Sequence, residues 1–202
     1  MLEIFGLIVL IFSVVLHEIS HGLVAEKLGD PTAKLAGRLT LNPLPHIDLF
    51  GSIILPALLI LTHSPVILGW AKPVPYNPML LTKDPKYGPA KVALAGPAVN
   101  LLLAIVFGLF LRLIPNLPNI SIILIGDIVF INLLLGLFNL IPIPPLDGSK
   151  VLSLFLPQKY LWQLESFGLV GFILIFITLF FFSNFIFVAV NFLFKLLTGF
   201  PI

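Results

Sequence analysis

The chain has 202 residues, 59% of them hydrophobic and only 10% charged, with a mean hydropathy of +1.15. A water-soluble domain is about half apolar and a quarter charged, so this balance excludes one and predicts a polytopic membrane protein. A net charge of +2, scattered along the chain, argues against a nucleic-acid partner; the lack of cysteine excludes disulfides, thiolate catalysis and cysteine-ligated zinc.

The first 15 residues are almost wholly apolar, with Glu3 their only charge. Lacking a basic start and a small-residue cleavage site, they read as a retained span and not a signal peptide. Apolar segments fall at about 3–26, 51–70, 90–113, 120–142 and 166–182, with a further stretch from 184 to about 197 and a break expected at Ser183-Asn184. The polar connections are short and rich in proline: LNPLPHID at 41–48, WAKPVPYNP at 70–78 and IPIPPLDG at 141–148. Proline has no N–H, and irregular backbone near a bilayer is tolerated only where protein or a wet cavity covers it. Such connections point to a site. Residues 35–42, LAGRLTLN, suit a buried hairpin or a plain loop equally. No repeat, low-complexity tract or separate soluble domain is visible, so 1–202 is expected to form one integral-membrane domain.

The sequence LHEISHG places His17, Glu18 and His21 near the end of the first span. A charged residue at the centre of a spanning helix costs roughly 2.5–3.5 kcal/mol on insertion scales, so such residues mark function by default. The two histidines are four apart and share one helical face, with Glu18 about 100° round from His17. This H-E-x-x-H pattern suits two zinc ligands and a general base acting on water.

Zinc needs a third protein ligand. Lys27 occupies the position of a third histidine in the extended zinc pattern, and Glu26 lies on the opposite face of the helix. The remaining candidates are His46, Asp48, His63, Asp127 and Asp147. Asp147 stands out because Pro142, Pro144 and Pro145 precede it and Gly148 follows, which leaves its carboxylate free to point sideways. It is also placed to cap a helix over 148–156.

HEISH in a first span, LNPLPHIDLFGS, GWAKPVP, AGPAVNLLLA and FNLIPIPPLDGSKVL together closely resemble the site-2 proteases, zinc metalloproteases that cut within the membrane. The resemblance runs from Val14 to about Leu152. It implies zinc, one per chain, on His17, His21 and Asp147, with Glu18 as the general base. It further implies that Asn100 helps to hold the substrate peptide or its oxyanion, and that Asn139 positions backbone or binds substrate. Two features depart from the family pattern. No regulatory PDZ or CBS module is visible, and Met79 stands where a basic residue is expected after Pro78.

For the HEISH end of the first span to meet Asp147, an even number of crossings must separate them. Three apolar segments intervene, so one of them does not cross; Pro56 and Pro65 make 51–70 the broken one. The charges agree. With 51–70 re-entrant or interfacial, Lys27, Lys34, Arg38, Lys72, Lys83, Lys86, Lys91, Lys150 and Lys159 share one side, against Arg112 and Lys195 on the other. The positive-inside rule then puts the N-terminus outside and the metal in the cytoplasmic half of a multi-pass membrane protein.

The expectation is thus an all-α polytopic membrane protein of about four crossing helices, a re-entrant or interfacial segment and a possible short β-hairpin near the site. The function expected is intramembrane endopeptidase activity on transmembrane segments of other proteins, with zinc-activated water as nucleophile. A rival from another class is a zinc or proton-coupled transporter using the same residues. It would show internal repeats, and it has no need of a glutamate beside the ligands.

Overall fold

The computed structural model describes residues 2–63, 69–114, 116–152, 154–155 and 168–201, with backbone alone over 168–182. Pro65 and Lys159 lie outside the described residues. Those described form helices and irregular connections, with no strand among them.

Helix α1 runs Leu2–Lys27 (26 residues). After a short turn of helix, α2 (Thr32–Leu35), the chain reaches the apolar segment that ends in α3 (Leu55–Leu61). Then come α4 (Gly88–Leu113), α5 (Asn119–Asn139), the short α6 (Asp147–Leu152) and α7 (Gly168–Thr198, 31 residues). At 1.5 Å per residue, α1, α4 and α5 each exceed the roughly 30 Å of a hydrocarbon core. All three are apolar enough to cross. Helix α7 is continuous through Ser183 and Asn184, where a break was expected. Two residues of middling helix propensity cost only tenths of a kcal/mol each, too little to interrupt so long an apolar helix.

The bundle inverts the pattern of a soluble protein. In α1 the large apolar side chains Ile4, Leu7, Ile8 and Phe12 are exposed, whereas Ser13, His17, His21, Gly22 and Ala25 are buried. In α4 the buried stripe is Ala90, Ala93, Pro97, Asn100, Ala104, Gly108 and Leu111, mostly small residues at helical spacing. Small residues let helices approach closely where lipid removes the hydrophobic drive between them. Helix α4 is accordingly central, packed against α1, α5, α6 and α7. Ala104, Val129, Leu133, Ile186, Val190 and Phe194 form the core it shares with α5 and α7.

The segment after residue 48 doubles back. A π-helical turn (Leu49–Ile54) leads into α3, and these 13 residues span only about 20 Å. The ends of the segment are joined: Trp70 N–H donates to Gly51 O (3.1 Å) and Ser52 Oγ to Trp70 O (2.8 Å). Leu49, Phe50, Ile53, Leu58 and Leu61 are exposed along it. The described ends of the segment thus lie together, an arrangement compatible with the re-entrant or interfacial 51–70 expected from the sequence.

Of the two forms open to 35–42, the structure adopts the loop. The loop meets the 70–74 segment through the Arg38 side chain. Lys72 N–H donates to His46 O (2.9 Å), and its carbonyl accepts from buried Arg38 (2.7 Å). Asp30, fully buried, ties the end of α1 to the same region by accepting from Asn77 N–H (2.6 Å) and Thr32 N–H (3.0 Å). Burial alone would raise the Asp30 pKa, but the bonds from Thr32 and Asn77 outweigh it and hold the carboxyl below its ordinary value.

This fold makes a topological prediction. The chain has no native cysteine, so single cysteines at Lys34 and Lys83 can be labelled cleanly. Lys83 N–H bonds Leu28 O beside the end of α1 (3.1 Å). Both cysteines should therefore react with an impermeant maleimide from one side of a vesicle; labelling from opposite sides would overturn the re-entrant assignment.

Candidate metal centre

Three elements deliver the central side chains. Helix α1 supplies His17 and His21, one turn apart and both buried. The turn between α5 and α6 supplies Asp147, 130 residues from His17 in sequence. The prolines of 142–145 end α5 and carry the chain sideways, since none can donate to a continuing helix. Gly148 lets the turn close, because a Cβ there would lie 2.2 Å from Leu140 O. Asp147 opens α6, as a capping residue would, but its carboxylate faces the histidines.

The ligand atoms of His17, His21 and Asp147 all lie within 4.8 Å of one another. Asp147 Oδ2 is 3.0 Å from His17 Nε2 and 3.2 Å from His21 Nε2. Ligands at 2.0–2.1 Å from a tetrahedral zinc stand about 3.3–3.4 Å apart, so both carboxylate–imidazole separations are close to the required spacing. Both rings direct Nε2 at the centre because Nδ1 is engaged elsewhere. His17 Nδ1 pairs with Asn100 Oδ1 (2.6 Å) and His21 Nδ1 with Val92 O (2.7 Å). Such acceptors behind the ring are the usual partners of metal-binding histidines. Burial opposes ionisation of Asp147, but hydrogen bonds with His17 and His21 outweigh it and hold its carboxyl well below the usual carboxylate range.

Gly96 of α4 supplies the space. A Cβ at that position would sit 2.5 Å from Nε2 of both histidines, inside the volume an ion would fill. Two imidazole nitrogens, one carboxylate oxygen and a space kept clear by glycine fit zinc.

Glu18 stands beside this group and not within it. Its Oε2 accepts from Val74 N–H at 2.7 Å. Glu18 opens onto a cavity of about 480 Å³ that the three ligands also line, together with Trp70, Tyr76, Asn139 and Lys150. Lys150 Nζ lies 3.9 Å from Asp147 Oδ1 and 5.3 Å from the centre of the Tyr76 ring.

The other sequence candidates lie elsewhere. His46 is buried with Nε2 at 3.0 Å from Thr40 O, Asp48 caps the π-helical turn through Gly51 N–H, and His63 sits in the turn after α3. Asp127 is half-buried in α5, away from the ligands. Asn139 lines the cavity and donates to Leu135 O (3.0 Å) in its own helix. Asn100 is fully buried and its amide is taken up by His17, Asn132 and Ser13. Asn132 and Ser13 escaped the sequence reading. Their signal was present, since each is a polar residue within an apolar run, and Asn132 lies seven residues, two turns, before Asn139.

Gly96 gives a test of that space. The added Cβ of Gly96→Ala meets both histidine rings, a clash that alanine's helix preference of about 1 kcal/mol only partly offsets, so the variant is first shown to be folded by circular dichroism. It should nevertheless lose most bound zinc in metal analysis of the purified protein, as Asp147→Ala should. Full zinc occupancy in either variant would place the metal elsewhere.

No family model and no solved structure matches the chain. Among curated proteins it is 38% identical over 183 residues to the Bacillus subtilis protein named "Putative zinc metalloprotease YwhC", a match covering 85% of this chain and 79% of that one. It is 31% identical over 156 residues to "Zinc metalloprotease MJ0392" of Methanocaldococcus jannaschii, spanning 76% of this chain but only 34% of that longer protein. Over 170 residues it is 32% identical to the Rip2 protein of Mycobacterium tuberculosis, also named as a zinc metalloprotease, and spans 63% of it. Identity at this level across most of both chains, with a His-His-carboxylate group that fits zinc, means that the chain belongs to the zinc metalloprotease family of YwhC.

Proposed function

We propose that this protein is a site-2-type intramembrane zinc endopeptidase that cleaves transmembrane segments of other membrane proteins. The observation that carries the reading is the meeting of His17, His21 and Asp147, from opposite ends of the chain, in a cavity that Glu18 also faces. The transporter reading is not favoured, since the named relatives are metalloproteases.

His17, His21 and Asp147 would hold one zinc per chain. Bound there, zinc would supply Lewis-acid chemistry, polarising a scissile carbonyl and lowering the pKa of a water molecule. Glu18 is the general base: it takes a proton from that water and later returns it to the leaving amine. An ionised carboxylate has about four acceptor sites, so the bond from Val74 N–H leaves Glu18 room for this proton. That bond also keeps the carboxylate from swinging towards the ligands.

A helical substrate hides its peptide bonds in its own hydrogen bonds and must unwind locally before attack. The 69–76 segment forms one wall of the cavity through Trp70, Ala71, Pro73, Val74 and Tyr76. Trp70 and Lys72 turn their backbone groups towards Gly51, Ser52, His46 and Arg38. On the opposite edge Pro73 and Pro75 have no N–H, so an unwound substrate strand would be held there mainly by donating to carbonyls, a one-sided form of β-addition. The excess of lysine and arginine on the 27–91 side supports a cytoplasmic placement of the site, with the N-terminus outside.

Glu18→Gln tests the role of the base. Glutamine retains an oxygen for Val74 N–H but cannot take the proton. Zinc content should be unchanged, while single-turnover cleavage of a model transmembrane substrate in detergent falls by at least the 10²–10⁴-fold that base catalysis supplies. Near-normal cleavage by Glu18→Gln would remove this glutamate from the mechanism.

A further inference from the structure

Behind His17 lies a chain of buried amides that joins three helices. Asn100 Oδ1 faces His17 Nδ1 at 2.6 Å. Asn100 Nδ2 donates to Asn132 Oδ1 (2.9 Å) and to Ser13 O (3.3 Å). Asn132 Nδ2 in turn donates to Ile128 O (2.9 Å) and Ser13 Oγ (3.0 Å). Asn100 and Asn132 are 0% and 1% exposed, so no water competes for these bonds.

The chain has a direction. Backbone carbonyls accept and never donate. Ile128 O therefore requires the amino group of Asn132 on its side, and turns the Asn132 oxygen towards Asn100. That oxygen, together with Ser13 O, demands the amino group of Asn100, which leaves only the Asn100 oxygen for His17. An oxygen at that place accepts a proton from His17 Nδ1 and commits Nε2 to the metal. If Asn100 were flipped, it would present N–H to Nδ1 and two oxygens to each other. His21 reaches the same state by a shorter route, because its Nδ1 meets Val92 O directly.

We propose that Asn132 is a positioning residue of the metal centre: acting through Asn100, it fixes which nitrogen of His17 faces the metal. Asn100 is the link, with both amide hydrogens already donated, and not a donor to the substrate oxyanion. This rests on His17 being a zinc ligand, as in the function proposed above.

The test is zinc affinity measured by chelator competition on wild type, Asn132→Leu, Asn100→Asp and the double variant, with the ring N–H resonances of the zinc-loaded proteins recorded by NMR. Loss of the direct partner of a metal-binding histidine weakens affinity 10–100-fold; Asn132 acts one bond further back and Ser13 O still holds one Asn100 hydrogen, so a loss of about three- to tenfold is expected for Asn132→Leu. The His17 Nδ1–H resonance should shift while that of His21, held by Val92, stays in place. A carboxylate at position 100 accepts in either orientation, so in the Asn100→Asp background the Asn132 substitution should weaken binding less than about twofold, a non-additivity expected only of coupled residues. If Asn132→Leu also displaces the His21 resonance, the fold has moved, and Asn132→Ser, too short to reach Asn100, is read by the same criteria. Wild-type affinity in a folded Asn132 variant, or an equal loss in both backgrounds, overturns the proposal alone. Absence of zinc binding by the wild type would overturn the proposed function first.

Discussion

An ionised Asp147 lies 3.0 Å from His17 Nε2 in a chain where only 10% of residues are charged. That contact is the constraint on which the rest of the structure depends. A carboxylate and two imidazoles in a low dielectric are tolerated when each is paired and the remaining polar atoms are satisfied. Each nearby feature meets one part of that demand. Val92 O and Asn100 complete the histidines, Gly96 leaves room for the ion, and the proline-rich turn brings the carboxylate back to α1.

Hydrogen bonds between membrane helices average about 0.6 kcal/mol, because the unfolded chain in the bilayer finds partners too. The amides of Asn100 and Asn132 therefore add little to the cohesion of α1, α4 and α5. Cohesion comes from close packing along the small-residue stripe of α4 and from the core shared by Ala104, Val129, Val190 and Phe194. With stability supplied by packing, the polar network is free to be arranged for the metal. Its members are few, and each has a stated partner.

Much of this was legible before the structure. H-E-x-x-H shows itself by helical spacing, and Asp147 by the prolines that force its backbone out of α5. Pro56 marked 51–70 as a broken element, and Trp70 at its end bonds back to Gly51 near its start. What stayed hidden depends on contacts between distant elements. Nothing in the local sequence pairs Val74 with Glu18 or Arg38 with Lys72, 56 and 34 residues apart. Asn132 was readable as a costly polar residue in an apolar helix, but its partner Ser13 lies 119 residues away and its purpose appears only with Asn100 between them. Proline and glycine punctuation records where the backbone must bend, and does not record what it meets after bending.

The bond from Val74 N–H to Glu18 joins two parts of the site usually considered separately. Glu18 belongs to the rigid helix that carries the ligands, whereas Val74 belongs to the irregular wall that a substrate strand would contact. The wall is fastened at further points, through Trp70 to the re-entrant turn, Lys72 to His46 and Arg38, and Asn77 to Asp30. Pulling on the wall therefore pulls on Glu18, and in the proposed reaction a substrate that seats against 69–76 without displacing it would leave that carboxylate in place. Glu18 and the cavity wall are held in one register by a backbone amide, which no side-chain substitution at Val74 other than proline would remove.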